Sequence, residues 1–249
     1  MVWRINQPEP IRATQFGRLL TSIHRDYGYE HSLILQNLLG SHDTARIGSA
    51  VVNPTYRQDH QSSPQDNRQY AVRQPTGEEK RRWKQLVAFQ FLFPGAPYIY
   101  YGDEVGMWGG DDPDCRKPML WPDLKFAEER THPFGQERPV NVVSPGGEML
   151  TFYRRLAEWR HGHEVLRTGQ FEFTLMDDER HLVAFRRLSL ETGKVVLAIF
   201  NASDHQKTIG PGDMKLESFV GWTDLWSNST PSTTSLQISP RWFVVLGRE

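Results

Sequence analysis

Beyond Gly169 the chain changes character, and that change constrains its fold more than any other feature. Upstream, helical patterns alternate with short apolar runs. Downstream, short β-type runs follow one another with Gly, Asp, Asn and Pro between them. The first pattern calls for α/β units and the second for an antiparallel all-β domain. The expected boundary lies near 163–169, at the end of a helix, dividing the chain into an α/β part over 1–165 and an all-β part over 166–249.

In the first part Phe16, Leu19, Leu20 and Ile23 share one face of a helix over 12–26. Residues 32–39 form a nearly continuous apolar run ended by Gly40, as expected of a strand buried on both faces of a parallel sheet. A polar connection over 51–75 is long for a compact domain. A second helix begins at Thr76 or Gly77, with Glu78 and Glu79 in its first turn, and continues through Trp83, Leu86, Val87 and Phe91. It stops before Pro94-Gly95, and 97–101 reads as a second buried strand. After an irregular stretch over 102–147, a third helix uses Met149, Phe152, Tyr153, Leu156 and Trp159 and ends near Gly162. In the second part strands are expected over 171–175, 181–188, 194–201, 215–221 and 242–246.

Lys+Arg of 29 against Asp+Glu of 30 gives a net charge of -1, without the basic excess of a nucleic-acid binder. No apolar run reaches the roughly 20 residues that span a bilayer. The start, Met1-Val2-Trp3-Arg4-Ile5-Asn6-Gln7-Pro8, has neither an apolar signal core nor a cleavage site. The single Cys115 excludes an internal disulfide and fits cytoplasm as well as periplasm, so the compartment stays open.

Candidate chemistry gathers where the apolar runs end. Parallel strands present functional groups at their C-terminal ends, and His42-Asp43 follows the first run; capping of a helical turn is the alternative use of Asp43. After the second run, Asp103-Glu104 would point to opposite faces, which suits a structural role better than a catalytic pair. Asp111, Asp112 and Asp114 lack the central Gly and terminal Glu of a calcium loop, so no metal site is expected. An acidic acceptor and a guanidinium donor there suit the hydroxyls of a sugar, a loop held by local salt bridges being the alternative.

Together these segments resemble a known family. Asn37-Leu38-Leu39-Gly40-Ser41-His42-Asp43-Thr44-Ala45-Arg46 resembles the segment around the seventh barrel strand of the α-amylase superfamily. Phe93-Pro94-Gly95-Ala96-Pro97-Tyr98-Ile99-Tyr100-Tyr101-Gly102-Asp103-Glu104-Val105-Gly106-Met107 resembles that around the eighth. Gly109-Gly110-Asp111-Asp112-Pro113-Asp114-Cys115-Arg116-Lys117-Pro118-Met119 is similar to the neopullulanase, cyclomaltodextrinase and maltogenic amylase branch. The resemblance implies the last two strands of a (β/α)8 TIM barrel followed by an antiparallel β-sandwich, in a retaining hydrolase of α-1,4 glucosidic bonds, with α-1,6 bonds as a second option. It implies that Asp43 stabilises the transition state, that His42 hydrogen-bonds the sugar at the cleavage position, and that Asp112 and Arg116 contact a more distant glucosyl unit. Trp108 is added from its neighbourhood as a stacking platform. The implied partner is a maltooligosaccharide or related α-glucan, with no cofactor; calcium is left to the full-length parent.

Retaining hydrolysis needs a nucleophile and an acid/base carboxylate about 5 Å apart. In the family both precede the His-Asp segment by many tens of residues. Only 41 residues precede His42, and their acidic members are Glu9, between two prolines, and Asp26 and Glu30, flanking a Tyr-Gly-Tyr turn. The expectation is a C-terminal fragment that does not hydrolyse α-glucans by itself and self-associates through an exposed barrel edge. A non-catalytic carbohydrate-binding or structural module is the alternative.

Overall fold

Thr76 begins the helix on which the rest of the molecule is assembled. In this computed structural model, which describes residues 10–56 and 61–248, the Thr76 hydroxyl accepts from Glu79 N–H at 3.3 Å and the Glu79 carboxylate accepts from Thr76 N–H at 2.7 Å. This reciprocal cap satisfies two donors that the helix cannot. Glu9 and the Met1–Pro8 start lie outside the described residues, as do 57–60 in the long connection.

In chain order the regular elements are α1 (Ala13–Tyr27), α2 (Tyr29–Ser32), β1 (Gln36–Leu38), α3 (Ile47–Ala50), α4 (Gly77–Leu92), β2 (Ala96–Tyr98), β3 (Glu129–Thr131), β4 (Glu137–Asn141), α5 (Gly147–Gly162), α6 (Glu164–Thr168), β5 (Gln170–Asp177), β6 (Leu182–Leu188), β7 (Val195–Asn201), β8 (Lys207–Ile209), β9 (Thr223–Asp224), β10 (Leu236–Ile238) and β11 (Trp242–Arg248). The strands β1 and β2 pair in parallel, Asn37 opposite Pro97. An antiparallel sheet runs β5-β6-β7-β11-β9, and β8-β10 and β3-β4 form separate antiparallel pairs.

The five-stranded sheet is buried on both faces. Val183, Phe185, Val196, Ala198, Phe200, Phe243 and Val245 pack with Trp83, Val87 and Phe89 of α4 and Phe152 and Leu156 of α5 in one core. The alternate residues Leu182, Ala184, Leu197, Ile199 and Leu246 pack with Ile209, Phe219, Trp222 and Ile238 in a second, as the two-residue period of a strand requires. Helix α4 is polar where it meets backbone. Gln85 Nε2 donates to Asn201 O at 2.7 Å and Trp242 O at 2.9 Å, and Gln90 Nε2 donates to Asn37 O at 2.6 Å and Tyr98 O at 2.8 Å. One helix thus satisfies backbone carbonyls of the five-stranded sheet and of the parallel pair.

Three sequence expectations are corrected. The run over 32–39 gives only the three residues of β1, because Tyr29–Ser32 is a helical turn. Neither β1 nor β2, which is also shorter than expected, is buried on both faces: Leu38 is 51% and Tyr98 42% exposed, since among the described residues each strand has a neighbour on one edge only. No strand forms over 215–221. A 3₁₀ turn at Pro211–Met214 precedes it, Lys215 has φ 60 and Gly221 φ 79, so the chain bends and Phe219 fills the core from a loop. The strands β8, β9 and β10 and the β3–β4 pair had no clear apolar alternation to announce them.

His24 of α1 lies against Phe93 and Phe171, ring centroids 5.2 and 5.3 Å away, with both ring nitrogens lacking a hydrogen-bond partner. Burial, then repulsion from Arg187, lowers its pKa. The unfolded chain takes up a proton there near pH 6.5 and the folded chain resists it. The contribution of His24 to stability is therefore complete above 6.5 and declines as pH falls below it. Asp103, discussed below, acts in the opposite sense. The His24→Phe variant isolates the effect: urea midpoints at pH 8 and pH 6 should differ less favourably to pH 8 than those of the unsubstituted chain. An unchanged difference would remove His24 from the account.

Candidate functional site

The turn after β1 is closed by its own hydroxyls. Ser41 N–H donates to Thr44 Oγ1 at 3.0 Å and Asp43 N–H donates to Ser41 Oγ at 3.1 Å. Chain reversal presents His42 and Asp43 at the tip, about two-thirds exposed, with His42 Nε2 3.0 Å from Asp43 Oδ2.

Arg116 joins this tip to the loop after β2. Its Nη2 lies 3.2 Å from Asp43 Oδ1, and its Nε lies 2.9 Å from His42 O and 2.8 Å from Asp112 Oδ1. The Cys115 thiol also donates to His42 O, at 3.3 Å. Burial pushes that thiol up to about 11, so it remains protonated as a donor and is no nucleophile near neutrality. His42, Asp43, Asp112 and Arg116, chosen from two separate sequence segments, therefore share one cluster. Two acceptor carboxylates and one five-donor guanidinium at an open surface have the chemistry to hold vicinal hydroxyls.

Beneath the cluster lie ion pairs that the sequence does not announce. Asp114 accepts from Gly110 N–H at 2.8 Å and from both terminal nitrogens of Arg138, at 2.9 and 3.2 Å, while Arg138 also donates to Val72 O. Burial opposes the charge on Asp114, but Lys117 and Arg138 hold it below the usual carboxylate range. Arg138 stands 24 residues from its partner, and nothing in its local sequence signals the pairing. Arg46 is fully buried, donating to Tyr101 O at 2.6 Å and Asp103 Oδ1 at 3.0 Å. Asp103 has the structural setting expected of it, and burial pushes it up to about 7 against the downward pull of Arg46.

Trp108 does not fit a stacking role. It is 2% exposed, packed against Gly48, with the Lys117 ammonium 5.2 Å above its ring. A ring buried to this degree does not offer the open face that stacking on a sugar requires. A separate cavity of about 720 Å³, lined by apolar residues including Phe16, Leu20, Leu39, Leu86 and Phe93, reaches Ser41 and Thr44 but not the charged cluster.

The cluster of carboxylates, imidazole and guanidinium lies where two parallel strands end, in the α/β part of the chain. The family model of the α-amylase catalytic domain matches residues 7–169, and the chain belongs to the α-amylase family of glycoside hydrolases. It is 31% identical to a cyclomaltodextrinase of Bacillus sp over 175 residues, 70% of this chain and 24% of that protein. It is 28% identical to neopullulanase 2 of Thermoactinomyces vulgaris over 199 residues, 80% of this chain and 26% of that protein. In fold it is similar to the type III pullulan hydrolase from Thermococcus kodakarensis, with TM-score 0.67 at 19% identity, covering 97% of this chain and 33% of that one. The chain thus spans about a quarter of the length of these curated relatives.

Proposed function

We propose that this chain is the C-terminal part of a retaining α-glucan hydrolase acting on α-1,4 glucosidic bonds, with α-1,6 bonds as a second option. In this reading residues 1–165 supply the last two strands of a (β/α)8 barrel and 166–249 a C-terminal β-sandwich. Asp43 stabilises the transition state, His42 bonds the sugar at the cleavage position, and Asp112 and Arg116 hold a glucosyl unit further along. The observation that carries the reading is the convergence of His42, Asp43, Asp112 and Arg116 on one guanidinium.

The same geometry supports inactivity of the chain alone. The carboxylates bound to Arg116 are Asp43 and Asp112, both already engaged by its positive charge. Both lie open on the surface on one guanidinium, and retaining chemistry needs a pair of carboxylates facing each other across the scissile bond. Asp26 is exposed on α1 and pairs with neighbouring Arg25. The apolar residues left open beside β1 and β2, including Leu38, Tyr98 and Ile99, support self-association through that edge.

Calorimetric titration with maltotriose tests the reading. The expected result is weak binding, with Kd roughly millimolar as for an open, incompletely enclosed sugar site, lost in Asp112→Ala and Arg116→Ala but retained in Trp108→Phe. Undiminished binding in both cluster variants would place the sugar elsewhere.

A further inference from the structure

The tip of the Ser41–Thr44 turn carries the candidate chemistry, yet its own residues are exposed and could not hold it by packing. Besides the hydroxyls of Ser41 and Thr44 and the bonds to His42 O, a second set of contacts holds the turn at its base. Were Gly40 given a Cβ, that atom would lie 3.6 Å from Ala45 O and Ile47 N, so residues 40 and 45–47 are in close approach and the turn is a closed loop. At the point of closure Arg46 is 0% exposed. Its Nη1 bridges Tyr101 O and Asp103 Oδ1, and its guanidinium lies 4.3 Å from the Tyr100 ring centroid and 4.8 Å from that of Tyr101. Its backbone N–H donates to Gly109 O at 3.0 Å, and Gly109 N–H in turn donates to Ser49 Oγ at 2.9 Å. The same residue therefore touches the bend after β2 through its side chain and the start of the 109–116 loop through its backbone.

We propose that Arg46 is a positioning residue: it locks the turn bearing His42 and Asp43 in register with the loop bearing Asp112 and Arg116. The functional meaning rests on the reading of Asp43 and Arg116 given above; the mechanical statement does not. A buried guanidinium with one carboxylate is a costly way to support a loop, and an apolar pair of similar size often serves stability as well or better. What the apolar pair cannot supply is direction. Nη1 reaches a carbonyl and a carboxylate at once while the guanidinium plane lies against Tyr100 and Tyr101, and that combination restricts where the turn can sit.

Amide hydrogen exchange of the whole chain tests this without any sugar. In the double variant Arg46→Met/Asp103→Leu, which leaves no orphan charge, the amides of Asp43 and Arg46 should exchange at least about tenfold faster. Those of Val87 to Leu92 in α4 should stay within about twofold of the unsubstituted chain. Arg46→Lys keeps the charge and loses the flat guanidinium over Tyr100 and Tyr101, and should loosen the same two amides by a smaller factor while leaving α4 unaffected. If the Asp43 and Arg46 amides keep their rates in both variants, or if the α4 amides accelerate by the same factor as the turn, Arg46 gives general support and the proposal is overturned. Selective loosening of the turn in a chain that fails to bind maltotriose would leave the lock standing and remove the functional reading. Sugar binding with an unaltered turn would do the reverse.

Discussion

Arg187→Ala is expected to lower the unfolding free energy by about 3 kcal/mol. Arg187 is 0% exposed at the seam between helices and sheet. Its Nε and Nη2 donate to Gly169 O at 3.0 and 2.8 Å, and its Nη1 donates to Leu166 O at 2.9 Å and Leu92 O at 3.2 Å. One side chain of β6 thus closes the C-terminal ends of α4 and α6. Burial lowers its pKa, the cost of placing a charge there, against the opposing pull of Tyr29 and Glu164. The bonds outweigh that cost because they are charge-assisted and serve carbonyls that a helix end leaves open. Arg187→Met should recover part of the loss by filling the volume without serving the carbonyls. Urea denaturation checks both, and a loss below about 0.5 kcal/mol for the alanine variant would mean that water replaces the guanidinium.

Phe185→Ala should cost about 3–5 kcal/mol. This ring, also on β6 and 0% exposed, has centroid distances of 5.5 Å to Phe89, 6.0 Å to Phe93, 5.3 Å to Phe171 and 5.9 Å to Phe200. Two of these partners lie in or just after α4 and two in the sheet, so the cavity would open across the seam. Collapse to fill it would require the helix and sheet to move together, which places the cost toward the upper end of the range. Circular dichroism and tryptophan fluorescence should report one shifted midpoint. Separate midpoints for helix and sheet signals would contradict a shared core.

Where sequence and structure agree, the signal was local. The third helix is legible because Met149, Phe152, Tyr153 and Leu156 recur at helical spacing and are all buried; the start of α4 is legible because a cap is written within four residues. Strands β6, β7 and β11 announce themselves as β-branched and aromatic runs. What the sequence hides is set by distant partners. The ends of β1 depend on β2, which supplies its only neighbour among the described residues. Phe219 is a core residue that no ladder holds. In the candidate site, His42, Asp43, Asp112 and Arg116 could be named from their segments, whereas Arg138 and the Arg46–Asp103 bond could not, because each charge is explained by a partner 24 or 57 residues away. Trp108 is buried although its sequence neighbours are polar, because adjacency to polar residues does not determine which side of a loop a ring occupies.

Membership of the family and hydrolytic capacity are separate properties of this chain. The most direct measurement is release of reducing sugar from starch, pullulan and cyclodextrin by the pure chain at neutral pH. No release above the blank is expected for any of the three, with Asp43→Asn indistinguishable from the unsubstituted chain. Turnover by monodisperse protein that Asp43→Asn abolishes would show a complete catalytic set within these 249 residues and contradict that expectation.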